Sequence, residues 1–422
     1  MNNEKNKEKI IFHIDVNSAF LSFEAVYRLQ HGAKIDLRNI PSAVAGSQAT
    51  RHGIILAKSI PTKKYGVKTG EATWEAIQKC PELVTVAPNY PLYMLCHHSL
   101  VGLLKEFSDR VQVFSVDECF LDITGMPETR QPLDLAHKIR ERIKEELGFT
   151  VSIGVSTNKL LAKMGSELKK PDAVSTLFPD EIPNKMWPLP IENLYMVGRA
   201  TSFKLHKMGI DTIGALANYD PEMLKYKLKS WGQLVWDYAN GIESSAVSSS
   251  GRDVVKGIGN STTVHFDVED RSTAHQVLLS LVETVGMRLR FGNWCCRVIA
   301  VSIKRADDLT SYSHQLKLQS PIDTTKTIYE YSRHLFDEAW NEEPIRHLGV
   351  RVSDLSSADQ VQLSMFEKES EKQKRVDRTV DQIRMRFGPG SLIRSNFLWS
   401  GLAPLEGGLS DDAAYPIMTS IL

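Results

Sequence analysis

Asp117 and Glu118 stand side by side in Phe114-Ser115-Val116-Asp117-Glu118-Cys119-Phe120-Leu121-Asp122, between apolar-rich, strand-like runs where an ordinary core strand would bury neither. Burying a carboxylate is unfavourable unless something positive holds it. Another acid, Asp15, closes the apolar run Ile10-Ile11-Phe12-His13-Ile14. Three acids on the ends of neighbouring strands would make a site for divalent metal, because hard ions such as magnesium take carboxylate, carbonyl and phosphate oxygens. Phosphoryl transfer on a nucleotide uses two such ions about 3.5–4 Å apart, bridging the attacking and leaving oxygens. Asp15 with Asp117 suits the bridging position, and Glu118 would complete the site of the ion that activates the attacking hydroxyl. On spacing alone, a solvated hairpin turn explains the pair as well as a metal site does.

The elements that must position these acids are legible around them. Residues 10–15 read as a buried strand and 18–31 as a helix. Leu92, Leu95, Cys96, Leu100, Leu103, Leu104 and Phe107 have helical spacing over 92–107. Residues 111–116 and 119–124 form a hairpin with the two acids at its junction. A helix follows, with Leu135, Ile139, Ile143 and Leu147 on one stripe and Gly148 as its stop, and then the strand Val151–Val155. Strand, helix, hairpin, helix, strand is the order of a split βαβ, ferredoxin-like sheet. Between its first helix and residue 90 lies an insert rich in Gly and Lys.

Pro183, Pro188 and Pro190 mark the start of a short helical region, and the serines of 242–256 give a linker composition. A second mixed domain follows, and from Ser356 the chain turns polar and charged, which predicts a loosely ordered tail. Within that tail Val376, Val380, Ile383 and Phe387 keep helical spacing.

Composition sets limits. The chain has 422 residues, enough for several domains, and its 51 basic and 51 acidic residues cancel, so any nucleic-acid surface must be local. Cys80, Cys96, Cys119, Cys295 and Cys296 show no CxxC spacing and read as reduced thiols. No apolar run approaches the roughly 18 residues of a membrane span. A cytoplasmic, monomeric protein without membrane contact is expected.

Asp15-Val16-Asn17-Ser18-Ala19-Phe20, Ser115-Val116-Asp117-Glu118 and Val151-Ser152-Ile153-Gly154-Val155-Ser156-Thr157-Asn158-Lys159-Leu160-Leu161-Ala162-Lys163 resemble, in order, three motifs of the Y-family translesion DNA polymerases, the DinB/UmuC-like group. The resemblance runs from about residue 9 to 355. It implies an α+β multidomain fold: a ferredoxin-like palm over 1–170 with fingers inserted at about 26–89, a small helical, helix-hairpin-helix-like thumb over 171–241, a linker over 242–256, a separate α/β little finger over 257–355, and a tail over 356–422.

It implies a low-fidelity, template-directed polymerase of DNA damage tolerance and repair, as in an SOS response. Such an enzyme takes primer–template DNA, deoxynucleoside triphosphates and two magnesium ions. Asp15, Asp117 and Glu118 match the metal-binding carboxylates, and the Val16 carbonyl matches a further ligand. Phe20 matches the aromatic steric gate that excludes a 2′-hydroxyl, and Lys163 matches the lysine that contacts the triphosphate.

The fingers depart from the commoner pattern. Lys63 stands in place of an arginine and still neutralises phosphate as a point charge, whereas Ile60 replaces a tyrosine and loses its hydroxyl contact. In the thumb, Met196-Val197-Gly198 replaces the usual Gly-x-Gly hairpin.

In the tail, Gln362-Leu363-Ser364-Met365-Phe366 resembles the peptide by which bacterial polymerases dock on the sliding clamp. Leu363, Met365 and Phe366 would be its apolar anchors and Gln362 its amide contact. Two alternatives remain: a catalytically silent clamp- or DNA-binding scaffold of the same fold, and another two-metal enzyme such as a nucleotide cyclase. The presence of all three acids speaks against the first, and the thumb and little-finger resemblance against the second.

Overall fold

The structure is a computed structural model that describes residues 9–47, 51, 53–248, 255–360, 371–398 and 401–402. They divide into two compact units, one built mainly from the chain up to residue 252 and the other mainly from residue 253 on.

In the first unit, β1 (Ile11–Val16) is buried along its whole length. It leads into α1 (Ala19–Gln30). The insert then supplies β2 (Ser42–Ala45), β3 (Ile55–Lys58), α2 (Ile60–Lys63), α3 (Thr73–Lys79) and β4 (Val84–Val86), with its own sheet in the order β3-β2-β4. The chain returns through α4 (Tyr90–Lys105), β5 (Val111–Val113), β6 (Glu118–Asp122), α5 (Pro132–Arg142), β7 (Val151–Ser156), α6 (Lys159–Leu168) and β8 (Val174–Thr176). The main sheet has the order β5-β6-β1-β7-β8. Its first four strands realise the expected split βαβ. β8, which pairs parallel with β7, extends the sheet past residue 170 and is too short to stand out in the sequence.

Alternation along β1 sends its side chains to two layers. Phe12 and Ile14 pack into a core with Tyr93, Leu100 and Leu104 of α4 and with Leu135 and Ile139 of α5. Burying each such side chain contributes about 1.5–3 kcal/mol. Ile11 turns the other way, to Phe120 and Ala162 of α6, and His13 and Asp15 share its face. α6 lies so close to β7 that a Cβ on Gly154 would fall onto the Ala162 carbonyl and the Ser166 amide. Only glycine lets this helix seat.

The helical region contains α7 (Ile182–Lys185), α8 (Arg199–His206), α9 (Ile213–Ala217), α10 (Pro221–Leu228) and α11 (Ser230–Ala239) around its own apolar core. Met196 adopts a left-handed φ of 72° ahead of α8, at the position where the commoner hairpin carries glycine. The first part of the expected linker is seated rather than loose. The Lys159 ammonium donates to the Ala246 carbonyl, the Ser248 amide donates to Gln112, and Val247 is buried beside Phe114.

The second unit holds β9 (Gly257–Val268), α12 (Arg271–Phe291), β10 (Trp294–Arg305), β11 (Ser311–Ile322), α13 (Thr325–Ala339) and β12 (Ile345–Ser357), with the sheet order β11-β10-β12-β9. Ile299, Val301 and Ile303 face a core shared with α12 and α13. The opposite face carries small residues, and Ser261, Gly349, Ser302 and Ser313 form one row across the four strands.

Part of the expected loose tail is ordered. α14 (Glu371–Phe387) docks on this unit, and it does so through charge. Asp377, Asp381 and Arg384 are buried, whereas Val376 and Phe387 of the apolar stripe are 45% and 66% exposed. Arg290 pairs with Asp381 at 2.6 Å, and Glu283 receives Arg384 at 3.3 Å and Arg394 at 2.6 Å. Arg290 is therefore committed to α14.

Candidate active site

β1 and β6 are antiparallel neighbours in register, which sets Asp15 directly opposite Glu118. One carboxylate oxygen of each, together with one of Glu167 at the end of α6, lies within 4.8 Å of the others. Asp117 occupies the turn before β6. Its carbonyl accepts the Val16 amide at 3.0 Å, and its carboxylate accepts the Ser115 hydroxyl at 2.5 Å. The same Ser115 oxygen accepts the Glu118 amide at 3.1 Å, so one serine shapes the acidic turn.

Asp15 and Asp117 line a cavity of about 350 Å³ together with Val16, Ser18, Phe20, Lys58, Lys63 and Lys170. Phe20 stacks on Tyr93 with centroids 4.4 Å apart and meets the edge of Tyr90 at 6.2 Å. Its ring is fixed by the core while it lines the cavity. Ile60 is 47% exposed and does not line this cavity.

The lysines divide their work. Lys163 Nζ lies 2.6 Å from Glu118 Oε1 and sits over the rings of Phe114 and Tyr195, at 5.0 and 5.5 Å. The resemblance assigns Lys163 to the triphosphate, whereas the lysine of this region that lines the cavity is Lys170, just beyond the end of α6. Lys170 Nζ lies 2.9 Å from Asp15 Oδ2 and 2.7 Å from Glu167 Oε1. Neither Lys170 nor Glu167 was singled out from the sequence. The available signal was that Glu167 stands about one helical turn beyond Lys163 on α6.

Asn17 anchors this corner. Its Oδ1 accepts the Asp172 amide at 2.9 Å and the Thr150 hydroxyl at 3.1 Å, and its amide donates to Ser152 at 2.8 Å.

The electrostatics follow from crowding. Burial raises the Asp15 carboxyl from 3.8 to about 7; Lys170 opposes the shift, and Glu118 and Asp117 add to it. His13, one pleat away, is held well below its usual range by burial and then by Lys163 and Lys170. Its Nδ1 lies 2.8 Å from Ser166 Oγ, which ties β1 to α6. The oxygens of Asp15 and Glu118 converge here with Lys170 and Lys163 as their counter-charges, and such carboxylates form the donor set that a hard divalent ion takes. Gln362, Leu363, Met365 and Phe366 lie outside the described residues.

Comparison with known proteins agrees with this architecture. The impB/mucB/samB family model matches residues 14–167, its C-terminal domain model matches 255–365, and the IMS family HHH motif matches 179–210. A DNA polymerase IV of Clostridium acetobutylicum is 46% identical over 391 residues, covering 92% of this chain and 98% of the relative. A DNA polymerase IV of Acetivibrio thermocellus is 40% identical over 397 residues, covering 93% and 98%. A solved Y-family DNA polymerase chimera superposes with a TM-score of 0.70 at 23% identity, covering 82% of this chain and 99% of that one. The sheet order, the acidic turn and these matches converge: the chain belongs to the impB/mucB/samB family, the Y-family DNA polymerases.

Proposed function

We propose that this chain is a template-directed, low-fidelity DNA polymerase that adds deoxynucleotides to a primer 3′-hydroxyl across damaged template. The observation that carries the reading is that Asp15, set against Glu118, lines a cavity together with Asp117, Phe20, Lys63 and Lys170. Asp15, Asp117, Glu118 and the Val16 carbonyl would hold two magnesium ions, which supply charge neutralisation and a more acidic attacking hydroxyl. Lys63 and Lys170 face the cavity from opposite elements and would receive the triphosphate, while Lys163 would orient Glu118 from below. Phe20 would lie under the sugar.

On this reading residues 1–170 and β8 form the palm, with fingers inserted at about 26–89, 171–241 the thumb and 257–355 the little finger. The outer face of the second sheet suits a nucleic-acid backbone, because its small side chains let phosphates approach closely. The thumb hairpin at Val197-Gly198 would add an amide contact of the kind that positions a duplex. The segment 362–366 would dock on the bacterial sliding clamp.

Primer extension on undamaged and lesion-bearing templates tests the reading. Extension that requires template and divalent metal, and that Asp117→Ala abolishes, supports it. Normal extension by Asp117→Ala would remove the catalytic assignment, and template-independent incorporation would favour another two-metal enzyme.

A further inference from the structure

Lys170 is held by two acids of different kind. Asp15 is buried and belongs to the metal-binding corner, whereas Glu167 is exposed on the last turn of α6. The Lys170 ammonium lies 2.9 Å from the first and 2.7 Å from the second. An exposed pair at i,i+3 ordinarily contributes little. This one differs because its cation is shared with a carboxylate that, on the reading above, would also hold a metal ion and so compete for the same oxygen.

Once Asp15 turns its oxygens to an ion, Glu167 is the side-chain partner that Lys170 keeps among the described residues. Without that partner, a long lysine side chain at a cavity rim gains rotamer freedom and leaves for solvent. The backbone beneath it is already fixed, because the Asp172 amide donates to Asn17. The remaining freedom lies in the side chain, and Glu167 is the group that restricts it.

We propose that Glu167 is a positioning residue that keeps the Lys170 ammonium at the cavity, so that it exchanges Asp15 for an incoming nucleotide phosphate. The proposal rests on the reading of the cavity as a triphosphate site. Glu167 acts through Lys170 and touches neither the nucleotide nor the reacting atoms.

The test uses the full chain on primer–template, with KM and kcat from single-nucleotide insertion. Nucleotide affinity is measured independently by binding of dNTP to a complex with a chain-terminated primer. Glu167→Gln should raise both KM and this Kd about three- to five-fold with kcat within about two-fold, the size expected of one exposed ion pair. Glu167→Asp should restore most of the loss, and Glu167→Gln added to Lys170→Gln should change nothing further. An unchanged Kd in Glu167→Gln, a loss of kcat at constant KM, or an undiminished effect in the Lys170→Gln background would each overturn the proposal. Lys170→Gln alone separates the two levels. If it leaves nucleotide affinity intact, the triphosphate reading of Lys170 fails. If it weakens affinity while Glu167→Gln does not, only the role of Glu167 falls.

Discussion

Asp15 is raised from 3.8 to about 7 by burial, against the pull of Lys170 and with the push of Glu118 and Asp117. Folding without metal therefore takes up a proton at this group. Stability linked to Asp15 is highest below 3.8 and falls as pH rises toward about 7. Asp15→Asn should flatten that dependence and should exceed the unsubstituted protein in urea midpoint at pH above 7, measured in chelator. A steeper dependence in Asp15→Asn would contradict the sign. Because an ion must displace the same proton, magnesium should bind more tightly as pH rises through this window. Phe20→Ala should raise ribonucleotide incorporation about ten- to a hundred-fold, the range over which shape alone discriminates, while unchanged sugar selection would remove Phe20 from the gate. Paired acids at strand ends stood out in the sequence because a core strand would bury neither, but spacing alone left a solvated turn equally open and the motif resemblance decided between them. Lys170 was not, because a lysine beyond a helix end reads as solvated until the fold turns it back onto β1.

α6 is the element on which the site depends. It carries Lys163 and Glu167, leads to Lys170, and touches β7 through Gly154. Gly154→Ala must push the helix away, since the added methyl meets backbone and not a flexible side chain. It should lower insertion sharply and cost about 1–3 kcal/mol of stability by overpacking, as unfolding and insertion assays on the same preparation would show; wild-type values of both would contradict the packing argument. β1, β6, β7 and their covering helices were readable from apolar period and from Gly148 as a stop. β8 was too short, and α14 was hidden for a different reason. Its sequence is polar because ion pairs, not an apolar stripe, dock it. Arg290→Ala would leave Asp381 and Asp377 without their buried cation, and breaking such a pair costs about 3–5 kcal/mol. Earlier unfolding and proteolytic release of 371–398 are the expected outcome, and an unchanged cleavage pattern would show the network to be dispensable.

Across the whole chain the charges cancel, with 51 basic and 51 acidic residues, so DNA affinity must come from local surfaces. On the outer face of the second sheet Arg351 pairs in register with Ala300 and Gly259, and Lys304 with His347. Arg351→Ala should weaken binding equally for all template sequences and reduce the slope of log K against log salt by about one; an unchanged slope would place the phosphate contacts elsewhere. Deleting residues 362–366 should remove stimulation by a bacterial sliding clamp and leave basal extension intact. The central claim is that Asp15, Asp117 and Glu118 together hold the metal that drives nucleotide addition. Single-turnover insertion on a primer–template, with Asp117→Ala and Glu118→Ala compared with the unsubstituted chain over a magnesium titration, tests it most directly. The account predicts a fall of at least about a hundred-fold in insertion rate, with DNA binding retained. Insertion at the unsubstituted rate by either variant would contradict it.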